Sequence, residues 1–481
     1  MNRRAFVTAI AFSMIGMTNP AHAVNLDPKG LGQVLLYPYY TVNKSQDTYF
    51  SVANNSYRGI VAKVRFLEGR RGRPVLDFNL YLSAHDSWAA VVSQTADNGG
   101  AMLKTTDHSC TTPAIPASGV AFSATGYDGS GALPADDGPH GITRTREGSI
   151  EVIAGGEILP DSPTARAITH AQPGQPGAGM PPGCATLPGS LISDIFAPIT
   201  NGLYGYGAII NVGEGTYYAY NADAIANFTA VPLFTASTGP LEPSLDQANS
   251  GDADGPGATT YLFSDFSSIP NGGRPQSAHY PYGIDAVTAV LTADTIQNDY
   301  LIAPGLGAAT DWIVSLPTKR FYVDPIYPDY GVAYGGPLTG ASVAAAVYDR
   351  EEGAALAADQ ESFLLPYSVN VISFLVGAQA GAPSGVFGSL LNTNIAPTAE
   401  SGTMRLDVGG HRNITGSGFY YPQMPFGDQS VIYGAPVVGF MAYNIVNANA
   451  QPGRLANYGA TFPHRTTACT GTAMFQFICR R

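Results

Sequence analysis

Charge is scarce in this sequence, and positive charge most of all. Only 12% of the 481 residues are charged, with 24 Lys and Arg against 36 Asp and Glu. An ordinary soluble domain carries about twice that share. A phosphate backbone is held by clustered Lys and Arg, so nucleic acid is excluded as a partner. The one basic run, "RRGR" at Arg70–Arg73, falls between two strand patterns and reads as a solvated hairpin tip. After residue 23 no apolar run is long enough for a transmembrane helix. Catalytic signatures are missing too: there is no G-x-S-x-G elbow, no H-E-x-x-H, no P-loop and no G-x-G-x-x-G opening a helix.

The first residues, "MNRRAFVTAIAFSMIGMTNPAHA", have the organisation of a targeting segment. Arg3 and Arg4 form a positive start, Ala5 to Met17 a short apolar stretch, and Ala21 to Ala23 a small-residue cleavage site. A signal peptide over residues 1–23, cleaved after Ala23, is therefore expected, with export to the periplasm, surface or medium. "NRRAF" also approaches the twin-arginine pattern, so both export routes stay open. Cleavage leaves 22 basic residues against 36 acidic, a net charge of −14.

Four cysteines, Cys110, Cys184, Cys469 and Cys479, suit an exported chain with two disulfides. Proximity in sequence suggests Cys110–Cys184, clamping a Pro/Gly-rich excursion, and Cys469–Cys479, tying down the C-terminus. Metal ligation is the poorer reading, because no pair has C-x-x-C spacing.

Glycine (56), proline (36) and tyrosine (27) are abundant. "GIVAKVRFLEG" places Ile60, Ala62, Val64 and Phe66 on one face. "VLDFNLYLS" does the same with Leu76, Phe78, Leu80 and Leu82, and a Gly/Pro turn between them makes a hairpin. With the strand from Tyr49, a three-stranded meander is expected to Val92. One apolar face per strand requires a second sheet to cover it. "GIDAVTAVLTADTIQNDYLI" reads as the single helix, through Val287, Val290, Leu291, Ile296 and Tyr300. "TDWIVSLPTKRFYVD" reads as a strand broken by proline. The expected fold is mainly β, with two immunoglobulin-like β-sandwich domains, long Gly/Pro-rich loops and one short helical segment. The first sandwich would cover 24–237, a loop belt with the helix 238–330, and the second sandwich 331–481.

"LLYPYYTVN", "KVRFLEG…VLDFNLYLSAHDSW", "TDWIVSLPTKRFYVD" and "GAPVVGFMAYNIVNAN…LANYG" together resemble the signatures of a family of exported proteobacterial proteins, usually described as hypothetical or cell-surface proteins. The resemblance runs along nearly the whole chain after the leader. It implies export and a β architecture, and brings no activity or catalytic residue with it.

Candidate chemistry is thin. His85 and Asp86 are adjacent in "SAHDSW" but lack a nucleophile, and read as a strand-end turn with Trp88 packed below. Glu147 and Glu151 stand four apart in a strand, ~13 Å and too far for a glycosidase pair, and read as a solvated face. Calcium is the one cofactor with any support, through Asp246, Asp252 and Asp254 in "DQANSGDADG" and Asp136 and Asp137 in "PADDG". Tyr37, Tyr39 and Tyr40 surround Pro38, which confines them to an edge strand or strand end. With Trp88 they are candidates for contact with a surface glycan or a second copy, or else packed rings with wet hydroxyls. The leading expectation is a non-enzymatic exported protein acting in adhesion or surface assembly. A hydrolase on a β-sandwich comes second and a membrane β-barrel third.

Overall fold

Alternation along the N-terminal half produces two facing sheets. The computed structural model describes residues 23–187, 191–196, 200–234, 241–249, 257–262, 276–328, 330, 341–357, 361–375, 381–408, 423–426, 430–447, 451, 453–454, 456–472 and 477–480. Residues 1–22 of the expected leader lie outside them. The chain is mainly β, and each of its sheets is an open path among the described residues. Gly59–Glu68 and Pro74–Leu82 form the expected hairpin, with Ile60 opposite Leu82 and Phe66 opposite Leu76. Val34–Thr41 and Glu147–Ile158 extend this first sheet.

Asp47–Asn54 does not continue the hairpin into a meander. It pairs with Ser87–Gln94 and Leu203–Asn211 in the covering sheet. The side chain of Asn54 makes this crossing possible: it donates to the carbonyls of Arg58 (2.7 Å) and Ser83 (2.8 Å) and accepts from Ser56 N (2.9 Å). Those three bonds tie the end of one sheet to the other. The Cys110–Cys184 disulfide closes the excursion as expected. Cys469 and Cys479 are partners across the Arg465–Thr472 and Phe477–Arg480 strands; their side chains lie outside the described residues.

The helix is shorter than its apolar spacing suggests. It spans Gly283–Leu291 and stops there, because the Leu291 carbonyl accepts from Val437 N (3.0 Å) and the Thr292 hydroxyl caps Thr288 O (2.7 Å). Thr295–Leu301 is instead a strand, with Ile296, Asn298 and Tyr300 inward and Gln297 and Asp299 exposed. Two further short helices, Pro163–Ile168 and Lys319–Val323, were not anticipated. The second follows Pro317, which ends the Ala308–Ser315 strand at the break.

Thr295–Leu301 and Ala308–Ser315, expected within a connecting region, are both strands of the second half. Ala308–Ser315 lies at the centre of a five-stranded sheet between Val369–Phe374 and Val438–Ile445. Both faces of that sheet are buried. Trp312, Ile372, Phe374 and Met441 face an eight-stranded sheet built on Ala341–Asp349, Ser401–Asp407 and Thr295–Leu301. Ile313, Val371, Phe440 and Ala442 join the core of the N-terminal sandwich. The two halves therefore share one core. Phe387 enters it from the 384–389 turn, fully buried against the rings of Tyr39 (5.4 Å), Tyr218 (5.3 Å) and Phe440 (6.3 Å).

Phe387→Ala is expected to cost about 3–5 kcal/mol, the usual range for emptying such a site. Urea unfolding should show a single lower midpoint for both halves, whereas a shift in only one of two separate transitions would contradict a shared core.

Candidate functional site

The tyrosines expected to form a contact rim are interior. Tyr37, Tyr39, Tyr40 and Trp88 are all fully buried. Pairing on one side stops at Leu36, so beside Pro38 the strand is bonded only to Glu147–Ile158, as a strand-end proline requires. The strand also bulges there: Ile150 lies opposite Tyr37 and Gly148 opposite Tyr40, so Pro38 and Tyr39 together face one residue. A bulge accommodates the missing proline N–H and shifts the alternation by one. Tyr37 and Tyr40 consequently both point inward. Their hydroxyls donate to Ser51 O (2.6 Å) and Thr145 O (3.1 Å), and that of Tyr39 to Glu147 Oε2 (2.8 Å). Burial holds all three phenols well above their ordinary pKa.

The charges expected on solvated surfaces are buried as well. Glu151 is 2% exposed and accepts a two-pronged bond from Arg320 (2.6 and 2.8 Å). Glu147 accepts from Leu390 N (3.1 Å) in addition to Tyr39. Within "RRGR", Arg73 is buried and paired with Asp324, its Nη2 2.9 Å from Oδ1, while Arg70 lies over the Tyr367 ring. The hairpin tip docks on the second half because its carbonyls receive the Ser368 and Val369 amides (3.0 and 2.8 Å). This charge-rich seam joins the two halves.

His85 turns its ring against Tyr57 (4.8 Å), and Asp86 accepts from Ser83 N (3.2 Å) and Ser87 N (2.9 Å). Ser109 Oγ and His170 Nδ1 both approach Asp86 Oδ2, at 3.4 and 3.7 Å. The carboxylate is thus the hub, and the serine hydroxyl donates to Asp107 (2.8 Å) and not to an imidazole. For calcium, Asp252 and Asp254 lie outside the described residues, and Asp246 accepts from the Tyr330 hydroxyl (2.6 Å). Asp136 is neutralised by Arg144 (2.8 Å) and Asp137 by Arg71 (2.5 Å), so neither is free for a cation. Among the described residues no group of three or more His, Cys, Asp or Glu is placed to hold a metal.

One group of exposed aromatics lies on the outward face of the covering sheet, while Tyr57, Tyr282, Tyr348, Tyr458 and Phe462 are exposed elsewhere. Tyr204 (45%), Tyr206 (41%) and Tyr217 (53%) are open to solvent, and Tyr49 stands 5.9 Å from Tyr206. Burial and the neighbouring Tyr206 push the Tyr49 hydroxyl up to about 12. The positions between them are small: Ser51 and Asn221 flank Tyr206, and Ala208 separates Tyr49 from Ala219. The inward residues explain this inversion. A Cβ at Gly205 would overlap the Tyr37 hydroxyl, and one at Gly207 the Tyr220 ring. Glycine inside therefore leaves tyrosine outside, and the "YGYG" alternation in "LYGYGAIIN" was the signal that could have revealed the face.

Beside this face opens a cleft of 960 Å³, with Tyr204 and Tyr206 on one wall. Asp223, the Leu291 end of the helix, Val438 and His464 also line it. His464 is bonded through Nε2 to Ile313 O (2.9 Å), and burial lowers its pKa to about 4. It is neutral near pH 7. Asp223 is pushed up to about 7 by burial alone.

Glu151→Gln would leave the Arg320 and Arg65 guanidiniums short of a counter-charge, at a cost of about 3–5 kcal/mol. Denaturant titration should detect it, and an unchanged midpoint would show that the seam contributes nothing. No protein-family model matches this chain, and neither curated proteins nor solved structures include a match to it.

Proposed function

We propose that this chain is an exported, non-enzymatic β-protein of the cell surface or periplasm that adheres to glycans through Tyr49, Tyr204, Tyr206 and Tyr217. The observation that carries this reading is the outward sheet face with three tyrosines more than 40% exposed, interspersed with Ser51, Ala208, Ala219 and Asn221. Contiguous exposed aromatics mark contact surfaces, and tyrosine combines an apolar ring with a hydroxyl that hydrogen-bonds. Sugar rings offer the complement, a C–H face rimmed by hydroxyls. The charges beside the face, Asp47, Lys104 and Asp107, are few and of mixed sign, so a neutral ligand suits it better than an ionic one. The buried disulfide fits an oxidising compartment.

A hydrolytic reading would need a second carboxyl roughly 5–9 Å from Asp223. The other carboxyl lining the cleft, Asp27, accepts from Lys29 N (2.6 Å) as a turn cap. Glycan-array binding is the test. The wild type should bind, and Tyr204→Ala with Tyr206→Ala and Tyr217→Ala should weaken binding at least ~10-fold, as lost aromatic anchors do. Release of reducing sugar would overturn the proposal, as would tyrosine-dependent dimerisation without glycan binding.

A further inference from the structure

The cleft beside the tyrosine face contains a carboxyl with no partner among the described residues. Asp223 opens the short strand Asp223–Ala226 and lies opposite Leu36. Alternation places it on the side of Leu36 and Ile225, whereas Ala224 turns the other way into the main core. Leu36 and Ile225 belong to a cluster with Val290, Leu291 and Val438. A carboxyl is out of place in such a wall. Among the described residues no hydrogen-bond or ion-pair partner meets Asp223, which is part-exposed to the cleft, whereas the buried Glu151, Asp324 and Asp311 are each bonded at short range. An isolated carboxylate in an apolar wall costs stability unless a cation meets it.

Tyr204, Tyr206 and Tyr261 also line the cleft, as does Tyr220, whose ring is stacked on Phe440 (4.7 Å) and offers no free face. The faces of such rings attract cations, and a ring of aromatics with one carboxylate is a suitable environment for an alkylammonium group. A metal ion would need more oxygen ligands than this wall supplies. We propose that the cleft binds an organic ammonium group, with Asp223 as its counter-ion and the tyrosine rings around its methyl or methylene groups. The site shares Tyr204 and Tyr206 with the proposed glycan face and is distinguished from it by Asp223 and Tyr261.

Other charges near the site are few. Asp27 caps the Lys29 amide, Lys29 is exposed at the rim, and His464 stays neutral above about pH 4. The helix end and Val437–Phe440 bring no titratable side chain. Because burial raises the Asp223 pKa to about 7, the carboxyl is largely protonated at pH 6 and largely ionised at pH 8. A cation that binds only the ionised form should therefore bind about ten-fold more weakly at pH 6 than at pH 8.

The sign for stability is opposite to that of a salt-bridged aspartate. With the folded pKa above the unfolded one, ionisation of Asp223 destabilises the fold progressively from about pH 4 to about pH 7. Asp223→Asn should therefore raise the melting temperature at pH 8 and leave it nearly unchanged at pH 4, which also establishes that the variant folds.

The test is calorimetric titration of the full exported protein with choline and with 3,3-dimethylbutan-1-ol, its uncharged carbon isostere. Choline should bind at pH 8, weaken at pH 6 and be lost in Asp223→Asn, while the alcohol should not bind. Equal binding of the two probes, binding that survives Asp223→Asn, or no choline binding at pH 8 would each overturn the inference. Glycan binding without choline binding would remove this site and leave the proposed function standing; the converse result would do the reverse.

Discussion

The carboxylate of Asp311 is fully buried, and much of the molecule is arranged around it. Its Oδ1 accepts from the Ser373 hydroxyl (2.6 Å), and its Oδ2 from the amides of Val386 (3.1 Å) and Phe387 (2.9 Å). Burial raises its pKa, and these donors oppose that shift. A buried carboxylate persists only where donors replace its water. Here two of the three come from the 384–389 turn, which they hold against the sheet. Holding that turn is what drives Phe387 between Tyr39, Tyr218 and Phe440, so a polar contact on one strand fixes an apolar plug in the neighbouring sandwich. Both faces of the Ala308–Ser315 strand are then committed, Trp312 to one core and Ile313 to the other.

The scarcity of charge follows a related logic. Several of the few ionic side chains lie inside: Arg73 with Asp324 and Glu151 with Arg320 across the seam, and Glu68 with Arg144 within the N-terminal half. Such pairs add little net stability over apolar packing, but breaking one is costly, so the first two fix how the halves meet. Gln46, bonded to Val386 O (3.0 Å), and Lys44, bonded to Gly385 O (3.1 Å), complete the same junction from the N-terminal side. An interlocked frame of this kind can hold an exposed sheet face in place. The tyrosines outside and the glycines beneath them are two consequences of one packing requirement.

How much of this was legible depended on whether local pattern or tertiary contact decided the outcome. The hairpin from Gly59 to Leu82 follows from alternation, and the Cys110–Cys184 bridge from compartment and spacing. The strand Thr295–Leu301 did not, because Ile296 and Tyr300 lie four apart and suit either period; the neighbouring strands that claimed it come from distant sequence. Pro38 was read as marking an edge or strand end, and pairing on one side does stop at Leu36; the sequence did not reveal the bulge beside it, which turns Tyr40 inward with Tyr37. Arg70–Arg73 resembled a solvated tip because nothing local reveals that Asp324, far along the chain, will meet Arg73. The outward tyrosines were missed for the reverse reason: their face is defined by what Gly205 and Gly207 must avoid.

Native-state hydrogen exchange across both halves is the most direct test of a single shared core. The amides of Ala308–Ser315, Val369–Phe374, Val34–Thr41 and Glu147–Ile158 should open together, with one free energy equal to that of global unfolding. A C-terminal group of strands that opens at markedly lower free energy, while the N-terminal strands stay protected, would contradict it.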